Sequence, residues 1–178
     1  MDPVAMFERA AADAATVVGR VGEVDWHAST PCSEWDVEAL VSHMTGGFGY
    51  LELALGDAPC AVALDEASYR AAMQRCAQRL RAPGALERRC QSPAGFEWSV
   101  AEAVCGTAMD QLVHTWDLAV AIGADPRLDP EVVEACVAMF LPRMPAVGRE
   151  AGFVGNEVRV PEDAPVYAVL LGAMGREP

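Results

Sequence analysis

The sequence predicts an all-α fold with short additional C-terminal elements, on three observations. Apolar residues recur at helical spacing along most of the chain. Capping residues precede each such run, and Gly or Pro follows it. With 52% hydrophobic and 22% charged residues among 178, the composition supplies a core for one folded unit.

Asp2-Pro3 reads as an N-cap followed by a first-turn proline, and Val4, Phe7, Ala11, Ala14 and Val18 then fall on one face until Gly19 and Gly22. A linker over 23–35 holds Trp26, His27, Thr30, Pro31 and Cys32. The second helix starts near Asp36, directs Val37, Leu40, Val41 and Met44 inward, is loosened by Gly46, Gly47 and Gly49, and stops at Gly56. A third runs from about Leu64 to Arg81, where Pro83-Gly84 ends it, and 88–98 is a loop or short strand.

The fourth helix opens on Ser99-Val100-Ala101-Glu102, the spacing of a capping box, and continues to about Ile122 before Gly123. Asp129-Pro130-Glu131 starts a fifth, which Pro142 and Pro145 terminate. A short extended piece over 157–160 and a last helix from Asp163 to Met174 complete the chain. Glu34-Trp35-Asp36-Val37 recurs 63 residues later as Glu97-Trp98-Ser99-Val100. Each Trp precedes an N-cap, where a hydrophobic staple would fold it back on the first turn.

Three histidines carry the chemical signal: His27, His43 and His114. Asp110 precedes His114 by four residues, so the two share a helix face, and the apolar neighbours Met109, Leu112, Val113 and Leu118 turn part of that face inward. His43 lies on the second helix beside Val41 and Met44. A buried carboxylate between imidazoles needs a neutralising charge, and a divalent cation provides it. The expected ligands are therefore His43, Asp110 and His114, a set suited to Zn²⁺, Ni²⁺ or Fe²⁺ with positions left for water or substrate. His27 lies outside the helices and is not expected to join them.

Asp117, three residues past His114, is placed to orient that ligand or to bond a loop backbone. Tyr50, two turns past His43, is placed to line the same pocket. Gly46, Gly47 and Gly49 either thin the helix wall beside the metal or allow close helix packing. Trp35, Trp98 and Trp116 read as core or wall. The six cysteines include no CxxC pair and read as small buried apolar side chains, with no thiolate metal site expected.

The run Thr30-Pro31-Cys32-Ser33-Glu34-Trp35-Asp36-Val37 with Leu40-Val41-Ser42-His43-Met44 resembles the DinB-like family around the N-terminal domain of mycothiol-dependent maleylpyruvate isomerase. Asp110-Gln111-Leu112-Val113-His114-Thr115-Trp116-Asp117-Leu118-Ala119 is similar to that family's second signature. Leu170 to Pro178 resembles the end of its single-domain members. The resemblance implies a DinB-like four-helix bundle over residues 1–178, one metal-binding helical domain, with a divalent metal on His43, Asp110 and His114. The isomerase pattern has Glu at the position of Asp110, where many single-domain relatives have Asp like this chain, and its separate C-terminal domain has no counterpart before Pro178. Both differences point away from the isomerase itself.

A metal site of this kind can hold a thiol as thiolate, which implies mycothiol as a co-substrate and an S-transferase or isomerase activity. The same ligands serve a hydrolase through metal-bound water, a non-haem iron oxygenase, or a non-catalytic binding or stress-response module.

Charge narrows the partners. All 13 basic residues are Arg against 26 acidic ones, a net charge of −13 with no Lys. A P-loop and a Schiff base both require Lys, and an acidic surface repels nucleic acid. No signal sequence or membrane span is recognisable, so a cytoplasmic location and a small-molecule substrate are expected; the sequence leaves the oligomeric state open, a homodimer included.

Overall fold

A computed structural model describes residues 1–126 and 128–178. Seven helices and one two-stranded sheet are present among the described residues. They are α1 (Pro3–Val18), α2 (Val37–Ala54), α3 (Glu66–Leu80), β1 (Arg89–Gln91), β2 (Glu97–Ser99), α4 (Val100–Ala121), α5 (Pro130–Phe140), α6 (Met144–Glu150) and α7 (Val166–Ala173). Helix α1 packs on α4 and α3, α2 packs on the same two, and α5 sits beside α4 and α7.

The caps explain the boundaries. The Asp2, Asp36, Asp65 and Asp129 side chains accept from backbone N–H groups in the first turns of α1, α2, α3 and α5. Ser99 and Glu102 make both bonds of the expected capping box at α4. Helix α2 runs unbroken through Gly46, Gly47 and Gly49. Gly47 is a packing glycine, since a Cβ there would come within 3.2 Å of Gln111 Nε2 and 3.3 Å of Thr107 Cγ2.

Four expectations need correction. Phe140 ends α5, and Pro145, expected as a terminator, instead occupies the first turn of α6, where a missing N–H costs no hydrogen bond. Residues 157–160 form no strand; Val158 N–H bonds Gly172 O at 2.9 Å, tying the segment to α7 instead of to a second strand. Helix α7 begins at Val166 because extended Pro165 precedes it. The two Trp rings also reach beyond a staple's first turn. Trp35 stacks on His43 with ring centroids 4.6 Å apart, and Trp98 lies on Gly106, where a Cβ would come within 2.9 Å of the indole. His43 and Gly106 are each the seventh residue of their helix, two turns in.

Helix α4 is central, and every residue from Gln111 to Ala119 is buried. Its one amide there is bonded at both ends: Gln111 Nε2 donates to Met44 O at 2.8 Å and Oε1 accepts from the Tyr69 hydroxyl, joining α2, α3 and α4. Tyr69→Phe would leave Gln111 Oε1 without its partner in a dry core, and a loss of about 1–3 kcal/mol is expected in urea unfolding. An unchanged midpoint would mean that the three-helix bond adds nothing to stability.

Candidate metal centre

Helices α2 and α4 bring together the three side chains predicted from sequence. His43 Nε2 donates to Asp110 Oδ1 at 3.2 Å, and His114 Nε2 lies 3.4 Å from the same oxygen. One donor atom from each residue falls within 4.8 Å of the others. The imidazoles meet edge to face with centroids 4.9 Å apart, and Trp35 covers both, its ring 5.7 Å from that of His114. The side chain of His114 is 10% exposed, against 34% for Asp110 and 40% for His43, so the cluster is rooted in the core and opens to solvent on its His43 side.

The Asp110 carboxylate and the His114 imidazole stabilise each other's charged forms. Burial opposes the charge on Asp110, yet the imidazoles of His114 and His43 outweigh it and hold the carboxyl well below its ordinary range. Burial likewise works against an imidazolium at His114, but Asp110, Asp117 and Cys32 raise its pKa well above the ordinary value. Among the described residues, Asp110 has only imidazole partners. Two nitrogen donors and one carboxylate oxygen facing one point fit a divalent ion.

A second group lies on the far side of the His114 ring. Nδ1 donates to Asp117 Oδ2 at 2.9 Å, so Asp117 orients the His114 ring, and among the described residues its side chain meets side chains and no loop backbone. Two residues not singled out from sequence complete the group. Arg176 meets Asp117 through Nε at 3.1 Å and Nη2 at 2.8 Å, and Nη2 also lies 3.2 Å from Cys32 Sγ. The Cys32 thiol is 3.3 Å from Asp117 Oδ2 and 3.8 Å from His114 Nδ1. Burial raises the cost of charge on Asp117, but its bonds to His114 and Arg176 prevail and keep its pKa low.

Cys32, His114 and Asp117 also form a geometric ligand group, but the guanidinium of Arg176 already supplies a cation there. The reading of every cysteine as a buried apolar side chain thus holds for Cys76, Cys105 and Cys136 only; Cys60 is exposed, and Cys32 and Cys90 are half-buried. Local signals for the missed pair existed, since Cys32 and Arg176 both lie in the runs that carry the family resemblance.

Cys32 is held by its turn. Thr30 Oγ1 accepts from Cys32 N–H at 3.1 Å and donates to Trp35 O at 2.8 Å. The residues before this turn dock on the start of α2, with Val37 N–H bonding Ala28 O and Glu38 N–H bonding Trp26 O. His27 remains outside, largely exposed, 3.5 Å from Asp36 Oδ2.

Tyr50 does not bond the cluster. Its hydroxyl donates to Gln91 O at 3.0 Å and accepts from Trp98 Nε1 at 2.8 Å. It lines a cavity of about 440 Å³ along α2 with Ser42, Thr45, Gly46, Gly49 and Leu53. No atom lies within 4 Å of a Cβ built at Gly46, so this glycine does thin the wall one turn from His43.

Fold and site together define a helical protein with a two-histidine, one-carboxylate cluster between α2 and α4. Residues 7–119 match the family described as the mycothiol maleylpyruvate isomerase N-terminal domain, and the chain belongs to that family. It is 28% identical over 183 residues to proteins of Mycobacterium tuberculosis strains CDC 1551 / Oshkosh and ATCC 25618 / H37Rv, both described as uncharacterized; each alignment covers 99% of this chain and 98% of the relative. No solved structure shows significant similarity. No described helix is long and apolar enough to cross a membrane.

Proposed function

We propose that this chain is a DinB-like four-helix-bundle protein, with α1 to α4 as the bundle and residues 1–178 as one domain, that binds a divalent metal, Zn²⁺ first, on His43, Asp110 and His114. The metal serves a thiol-dependent transfer or isomerisation with mycothiol or a similar low-molecular-weight thiol. The observation that carries the reading is the convergence of the three donor atoms within 4.8 Å at the solvent edge of a buried helix pair. Family membership supports the mycothiol link. Six cysteines without a disulfide among them suit a reducing cytoplasm.

A divalent cation in this site would keep a bound thiol as thiolate at neutral pH. The chain's own residues prepare for that. Asp117 accepts the Nδ1 proton of His114, leaving Nε2 for the cation. Trp35 packs against both imidazole rings. Partial exposure of His43 and Asp110 leaves an approach for substrate, and the cavity past Ser42 and Gly46 offers room for its apolar part.

Metal analysis after gentle purification is expected to find about one divalent ion per wild-type chain and almost none in His114→Ala. Equal, negligible contents in both would overturn the metal reading. In the Co²⁺ protein, millimolar mycothiol is expected to alter the visible spectrum; an unaltered spectrum would turn the reading towards hydrolysis or simple metal binding.

A further inference from the structure

Arg176 reaches the metal cluster from the opposite end of the chain by a defined turn. After α7, Arg176 N–H bonds Leu171 O at 2.9 Å and Gly175 N–H bonds Gly172 O at 3.0 Å. These are the two bonds of a Schellman motif, with Gly175 at φ +84° as its left-handed residue. A Cβ on Gly175 would lie 2.9 Å from Gly155 Cα, so the turn is also locked against the preceding segment. The Arg176 side chain runs back from this turn with Nη1 on Met174 O at 2.7 Å, and its other two nitrogens grip both oxygens of Asp117. The Asp117 side chain is 0% exposed and that of Arg176 is 11% exposed.

A two-point guanidinium contact fixes the plane of a carboxylate, which a single bond leaves free to rotate. Here the fixed carboxylate accepts from His114 Nδ1, and the opposite nitrogen of that ring faces Asp110. We propose that Arg176 is a positioning residue for the metal centre: through Asp117 it sets the ring orientation of His114, and the C-terminal turn thereby sets metal affinity. The affinity statement rests on the metal reading; the orientation of His114 does not.

Two measurements separate them. Zn²⁺ affinity is read by competition with a chromophoric chelator in full-length wild type, Arg176→Met, Arg176→Lys and Gly175→Ala. Arg176→Met and Gly175→Ala are expected to bind about 10–100-fold more weakly, the usual cost of losing an outer partner of a metal-bound histidine. Arg176→Lys, which keeps the charge but loses the two-point contact, is expected to fall between wild type and Arg176→Met and remains informative if Arg176→Met does not fold. Affinities within twofold of wild type in the folded variants would overturn the proposal.

The second measurement needs no metal. Solvent exchange of the His114 Nδ1 proton is followed by NMR in the metal-free proteins, and is expected to be slow in wild type and fast in Arg176→Met or Arg176→Lys. Equal exchange would overturn the positioning role. A wild type that takes up no Zn²⁺ yet shows this difference would refute the metal reading and leave His114 positioning intact.

Discussion

Asp117→Ala is expected to destabilise the metal-free protein by about 3–5 kcal/mol, the usual consequence of stripping one partner from a buried ion pair. The carboxylate has no exposed surface and accepts from Arg176 twice and from His114 once. Its removal leaves a guanidinium and an imidazole facing each other across a dry gap, each short of an acceptor. Urea unfolding of chelator-treated protein measures the loss. Removing both ends, as Asp117→Leu with Arg176→Met, is expected to cost less than the sum of the single changes, because no guanidinium is then stranded and only His114 Nδ1 is left short of an acceptor. Additive losses, or a change below about 1 kcal/mol for Asp117→Ala, would show that water reaches the pair.

Metal affinity is expected to rise with pH, by about tenfold per unit, and to keep rising above pH 6.5. His114 is the reason. Its folded-state pKa is raised by Asp110, Asp117 and Cys32 despite burial, so its Nε2 must shed a proton to serve as a ligand. Asp110, held low, is already charged across this range. An ordinary histidine would level off near pH 6.5. Chelator competition at pH 6, 7 and 8 tests this, and an affinity constant across that span would refute it.

The same shifts give the metal-free protein an opposite trend. The contribution of His114 is fully present below its unfolded value of about 6.5 and is lost as pH rises through its raised folded value. Those of Asp110 and Asp117 are present above about pH 3.9 and are lost as pH falls through their lowered values. These three groups therefore favour mildly acid conditions without metal, and loading with Zn²⁺ is expected to move the highest melting temperature upward in pH.

Much of this architecture was legible because helix ends are local. Asp36 and Ser99 cap α2 and α4 through backbone groups no more than three residues away, so spacing alone places them. The pairing of Asp110 with His114 is also local, one helical turn on one face. The same reasoning held at Pro142, just past the end of α5, but failed at Pro145, since a proline that ends one helix and a proline that starts the next look alike without the backbone between them. It failed again at the tail, where Val158 bonds Gly172 and not a strand.

By itself the sequence determined every helix but α6, the caps Asp2, Asp36, Ser99 and Asp129, and three ligand candidates on α2 and α4. Only the tertiary structure decided that Trp35 would roof the imidazoles and that Cys32 and Arg176 would join Asp117 behind His114. Those partners lie 82, 59 and 144 residues apart for Cys32–His114, Asp117–Arg176 and Cys32–Arg176. No periodicity spans such distances. The contacts exist because α4 is buried on every face from Gln111 to Ala119, which forces the charge of Asp117 to find its cation inside the fold, and the C-terminal turn is what brings one there.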